Sequence, residues 1–168
     1  HRHASSLQEH NGLDRATTHV WVCDLCIPQN SELQVVDGLP KIVESIGAVV
    51  MAADDWRRPA PLARVWCLAE LHTAFVCGAR FGVAMGEAQA ADFLQMFLDD
   101  ERFGDMLQVL ADISVAKAGA RKAEDKDRIL AEVERTAEGG IAGLDKLVAA
   151  EMRAFFERAG ERILREAK

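Results

Sequence analysis

Two apolar runs of six residues, AVVMAA (Ala48–Ala53) and RFGVAM (Arg80–Met85), stand on either side of a helix-length segment. Strands that are apolar at successive rather than alternate positions are buried on both faces, and strands alternating with helices form parallel sheets. A third run, THVWVCDLC (Thr18–Cys26), is rich in β-branched and apolar residues, stops at IPQN and reads as another buried strand. The expected fold class is therefore α/β: an open parallel sheet flanked by helices. Ligands of such sheets bind beyond the carboxyl ends of the strands. The residues delivered there are Asp24 to Gln29, Asp54 to Arg58, and the Gly86–Glu87 turn.

Between and after these strands the pattern is helical. GLPKIVESIG reads as a helix with Asp37 as N-cap, Pro40 in its first turn and Gly47 just past its end. DDWRRPAPL is a loop, because two prolines so close together do not sit inside a helix. A helix beginning near Leu62 and ending near Gly78 follows it. Beyond Gly86 come two amphipathic helices, Ala88 to Asp99 and Glu101 to Leu110, and ISVAKA (Ile113–Ala118) reads as a fourth strand. The last third is helical: Glu124 to Glu138, stopped by Gly139-Gly140, and then Ile141 to about Glu166. Ile141, Leu144, Val148, Met152, Phe155, Ala159 and Ile163 recur at three- and four-residue intervals in that final helix, an apolar stripe that packs on the sheet or on a neighbouring subunit. Residues 1–17 form a loose polar lead-in, 18–168 a single domain, and 120–168 its helical C-terminal portion.

Composition limits the function classes. A formal net charge of -7, with Lys and Arg scattered among acids, argues against a phosphate-backbone groove and hence against nucleic-acid binding. No apolar run approaches the roughly 20 residues that span a bilayer, so no membrane span is expected. Four cysteines are too few for a disulfide framework in a chain of 168 residues, and the expectation is a soluble intracellular protein. Cys23-x-x-Cys26 is the single pair at metal or redox spacing, but on a strand its side chains point to opposite faces. No metal is expected, and no Gly-rich dinucleotide fingerprint, phosphate loop or serine-nucleophile turn is present.

One residue breaks the pattern of an ordinary core helix. Glu70 is the sole carboxylate between Asp55 and Glu87, and Ala63, Trp66, Cys67, Thr73, Ala74 and Cys77 share its helical face. A carboxylate against apolar walls stays charged only when hydrogen-bonded, or its pKa rises. Either state can bind sugar hydroxyls or stabilise positive charge developing on a ribose carbon. The structural reading is that Glu70 pairs with Arg57, Arg58 or Arg64 and closes the loop over the helix. Trp56, in a polar loop, is the better candidate for stacking on a planar ligand, while Trp66 and His72 read as core and as a solvated or capping residue respectively.

Trp66-Cys67-Leu68-Ala69-Glu70-Leu71, preceded by a strand and an aromatic loop, resembles the W-C-x-x-E-L motif of Toll/interleukin-receptor-like (TIR) domains. Upstream, Val20 to Gln29 (VWVCDLCIPQ) resembles the W-I-D-x-L-C-I-x-Q signature of fungal heterokaryon-incompatibility domains, with Cys23 where that signature has Asp and Asp24 one residue later. Together the resemblances run from Thr18 to about Met85. They imply a TIR-like sheet with flavodoxin-like layering. Residues 1–17 are too short and polar for the family's first strand and helix, so the expected sheet lacks its first strand and the expected setting is a subunit or fragment of a larger assembly.

Two functions follow from the resemblance. The first is a TIR-like protein-interaction or scaffold module with protein partners or self-association. The alternative is an NAD+-cleaving enzyme, an NAD+ glycohydrolase, for which NAD+ is the substrate and no cofactor is needed. The resemblance then makes Glu70 the catalytic carboxylate, with Trp56, Asp24, Asp54 and Trp66 as the ligand-binding set.

Overall fold

The computed structural model of the protein describes residues 32–99 and 103–166. The expected strand Thr18–Cys26, with Asp24 and the Cys23/Cys26 pair, lies outside the described residues, as does the lead-in. The described elements are α1 (Glu32–Ile46), β1 (Ala48–Ala53), α2 (Val65–Val76), β2 (Arg80–Met85), α3 (Glu87–Leu98), α4 (Phe103–Asp112), α5 (Ala123–Thr136) and α6 (Gly140–Glu166). Among the described residues no helix is long and apolar enough to cross a membrane.

β1 and β2 have the limits expected and pair in parallel, with Ala48 opposite Arg80 and Ala53 opposite Met85. α2 is the crossover between them. A glycine turns the chain into each strand. Gly47 (φ 70°) leads out of α1 while donating to the Val43 carbonyl, and Gly78 (φ 65°) leads out of α2 while donating to the Phe75 carbonyl.

Covering of the sheet differs from the expectation. Met51 and Ala53 are buried; on the other face Val50 is 40 % exposed and Ala52 is exposed as well, while Ala84 of β2, opposite Ala52, is buried. Among the described residues the helices lie on the Met51 face. There Val49 meets Leu39 and Val43 of α1 and Ala74 of α2, and Met51 joins Val65, Leu68 and Leu71 in the main core. The final helix completes that core, with Leu144, Val148, Met152, Phe156 and Ala159 all buried. Phe155, placed on the same stripe by its spacing, is only half-buried, and Phe156 beside it takes the deeper position.

Three local expectations are corrected. α1 begins at Glu32, so Asp37 lies inside the helix rather than at its cap, and Pro40 is an interior residue. An interior proline removes one backbone hydrogen bond. Packing of Leu39 and Val43 on Ala74 holds the helix through it. α2 begins at Val65, after a 3-10 turn at Ala60–Ala63, rather than near Leu62, so Glu70 lies about 8 Å along its axis.

The segment Ile113–Ala118 is not a strand but contains a 3-10 turn, Val115–Lys117. Its backbone is satisfied locally: the Val115 N–H donates to Asp145 at 2.6 Å, and the Lys117 and Ala118 N–H groups reach back to Ser114 and Val115. Just past the segment, Gly119 forms one isolated parallel bridge with Arg64.

Candidate functional site

The exit of β1 is where the sequence places a ligand, and the structure fills much of it with protein. Asp54 is exposed and Asp55 half-buried, the latter accepting the Arg57 N–H at 2.9 Å in a tight polar turn. That turn sends Trp56 inward. Its indole is 1 % exposed and meets Phe93 edge-on (centroids 5.3 Å apart, planes at 74°) and Phe156 likewise (6.4 Å, 81°). Phe93 also stacks on Phe155, so the loop after β1, α3 and α6 share one aromatic cluster.

The polar end of Trp56 is held as firmly as its ring. Its Nε1–H donates to Asp92 at 2.8 Å, and its backbone N–H donates to Gln89 Oε1 at 3.1 Å. The Arg57 guanidinium lies 4.3 Å from the indole centroid, donates to the same Asp92 carboxylate, and reaches Asp105 at 3.0 Å. The Asp92 hydrogen bond is the largest influence raising the Arg57 pKa above its ordinary value, opposed by burial and reinforced by Asp105. These groups form a clamp across the loop, α3 and α4. A network that shares one carboxylate between an indole and a guanidinium is held in place better than an isolated surface pair.

The other expected site residues have different neighbours. Trp66 is half-buried, with the Arg128 guanidinium of α5 5.5 Å from its ring centroid. Glu70 is half-buried on α2 and engaged rather than free. Trp56, expected to offer a stacking face, instead spends its ring on the core. Each of its ring and hydrogen-bond partners comes from residues 57, 89–93 and 156, none of them on the Glu70 helix. Asp54 is at the strand exit as expected, and Asp24 lies outside the described residues.

The clamp residues Gln89, Asp92 and Asp105 have no signature in the sequence. They lie on the polar faces of helices that look merely solvated, and nothing local links Gln89 to Trp56 over 33 positions or Asp92 and Asp105 to Arg57 over 35 and 48. Among the described residues no three His, Cys, Asp or Glu side chains gather as a metal site, and neither Cys67 nor Cys77 is in a disulfide.

His72 departs from the solvated role its position suggested. It is half-buried, and burial lowers its pKa below the ordinary 6.5, partly offset by Glu132 of α5. A lowered folded-state pKa means that the unfolded chain binds the proton more readily. The contribution is therefore fully present above about pH 6.5 and is lost as pH falls through the folded value. Urea midpoints at pH 7.5 and pH 5 should show a larger acid loss for the wild type than for His72→Gln. Equal losses would exclude His72 as a source of acid sensitivity.

Comparison of the chain with protein-family models, with curated proteins and with solved structures gives no match.

Proposed function

We propose that the chain is a TIR-like protein-interaction or scaffold module, a part of a larger assembly, and that NAD+ cleavage at Glu70 is the alternative. The TIR-like layering rests on the placement of the motif. The helix bearing Trp66-Cys67-x-x-Glu70-Leu71 is the crossover of a parallel β-α-β unit, and the aromatic loop lies between β1 and that helix.

The observation that favours interaction over catalysis is the closed Trp56 clamp. A base cannot stack on an indole that is 1 % exposed and covered by its own Arg57, so among the described residues Trp56 does not offer the aromatic surface a nucleotide would use. Large apolar side chains left in solvent give an interaction module material to work with. Val76 is 70 % exposed, Leu98 71 % and Leu107 54 %. The net charge of -7 makes protein, not nucleic acid, the expected partner class.

Sedimentation velocity over a concentration series, run beside an assay for nicotinamide release from NAD+, tests the choice. The expected result is reversible self-association, weakened by Val76→Arg or Leu98→Arg, with no nicotinamide released. A monomer at every concentration sinks the self-association reading. Turnover that disappears in Glu70→Ala would establish the enzyme instead.

A further inference from the structure

We propose that a cleft beside the Trp56 clamp binds a small phosphate monoester with a compact apolar body. The cleft has a volume of about 270 Å³ and lies between the loop that follows β1, the C-terminal end of α4 and the segment around the second 3-10 turn. It is independent of the TIR-like reading, because Glu70 is not among its lining residues.

The walls are fixed by backbone bonds rather than by the ligand. Gly119 donates its N–H to the Ala63 carbonyl at 2.8 Å, and Val65 donates to the Gly119 carbonyl at 3.0 Å, tying the two 3-10 turns together. Asp145 of α6 anchors the second turn through the Val115 N–H at 2.6 Å. A pocket held in this way is formed before anything enters it, which lowers the ordering cost of binding.

Its chemistry is that of an amphipathic anion. Leu62, Val109 and Ile113 supply apolar surface. Arg58 and Lys117 also line it, and both are exposed. Among the described residues neither side chain has an ion-pair or hydrogen-bond partner, in a chain whose net charge is -7. Arg57 is already committed to Asp92 and Asp105, so the attraction rests on Arg58 and Lys117. Two separate cations suit a dianion better than a single carboxylate, and a phosphate monoester carries about -1.5 to -2 near pH 7. The volume lies just below the usual lower limit of roughly 300 Å³ for ligand pockets, so the body is small, on the scale of a single ring. Asp112 is the acid on the wall, held by the Gln108 amide at 2.8 Å, and it opposes the incoming charge.

Calorimetric titration of the whole chain with phenyl phosphate at low ionic strength tests this assignment. Arg58→Ala and Lys117→Ala are each expected to weaken binding by about tenfold or more, since each removes a charge-assisted hydrogen bond. Asp112→Asn is expected to tighten it, and inorganic phosphate, lacking the apolar body, to bind at least about tenfold more weakly than phenyl phosphate. Arg58 and Lys117 are exposed, so their variants should keep the wild-type circular dichroism spectrum. No heat from phenyl phosphate at millimolar concentration would overturn the site. So would folded Arg58 and Lys117 variants that bind as the wild type does, or inorganic phosphate that binds as tightly as phenyl phosphate.

Discussion

Trp56→Ala is expected to destabilise the fold by about 3–5 kcal/mol, the range for removing a large buried aromatic side chain. Three losses combine at this position. The indole leaves a cavity against Phe93 and Phe156, Asp92 loses the Nε1–H donor 2.8 Å away, and Arg57 loses the ring beneath it. Asp92 still has Arg57, so its charge is not stranded, which keeps the cost within the packing range. A domain of this kind has only about 5–15 kcal/mol of stability in all. The melting temperature should accordingly fall by about 6–20 °C at about 2–4 °C per kcal/mol.

Trp56→Phe separates the contributions. It retains most of the ring packing and removes the hydrogen bond to a charged acceptor, for which about 1.5–3 kcal/mol is expected. Urea unfolding of the two variants measures both numbers. If Trp56→Ala unfolds within about 1 kcal/mol of the wild type, the indole is not the keystone of the β1 exit and the strand end is open to ligands.

Gly143→Ala is the second large effect, and its sign is the informative part. Alanine replacing glycine inside a helix ordinarily stabilises by about 1 kcal/mol. Here it should destabilise by about 1–3 kcal/mol, the range for overpacking a close contact, because a methyl at Gly143 would collide with the Glu138 backbone carbonyl. The reason is the tight reversal between α5 and α6. Gly139 and Gly140 both take positive φ (75° and 62°), folding the chain back so that residue 138 lies against the first turn of the new helix.

Glu134 secures that turn from the preceding helix, its carboxylate accepting the Ile141 N–H at 2.9 Å in place of a capping side chain. A backbone carbonyl cannot move aside as a flexible side chain can. The exposed neighbour Ala142 serves as the control, since Ala142→Gly should show only the ordinary propensity cost of about 1 kcal/mol. Stability gained by Gly143→Ala, measured by chemical denaturation, would exclude this geometry.

The β1–α2–β2 unit was legible because its signals are local. Six-residue apolar runs give strands, and Gly47 and Gly78 mark where helices must end. The Gly139-Gly140 break and the apolar stripe of α6 were legible for the same reason. Ile113–Ala118 was not, because its strand-like composition competes with an Asp145 carboxylate 30 residues away that captures the Val115 N–H. Nor was the start of α1, where proline chemistry argued for a first turn and packing on α2 carried the helix through Pro40.

At the candidate site, sequence reasoning identified the strand exit and the one isolated acid, Glu70, since both follow from apolar patterning within a single element. It assigned Trp56 to a polar loop because Asp54, Asp55, Arg57 and Arg58 surround it. Tertiary structure decided otherwise. The direction of one tight turn sends the indole into the core, and carboxylates 35 and 48 positions further along the chain neutralise the arginine beside it. The limits of β1 and β2, the crossover helix between them and the reversal at Gly139-Gly140 were set locally, because backbone geometry and burial periodicity are properties of neighbouring residues. Only the fold decided which charges meet and which ring is covered, because those pairings depend on the positions of elements that no local pattern records.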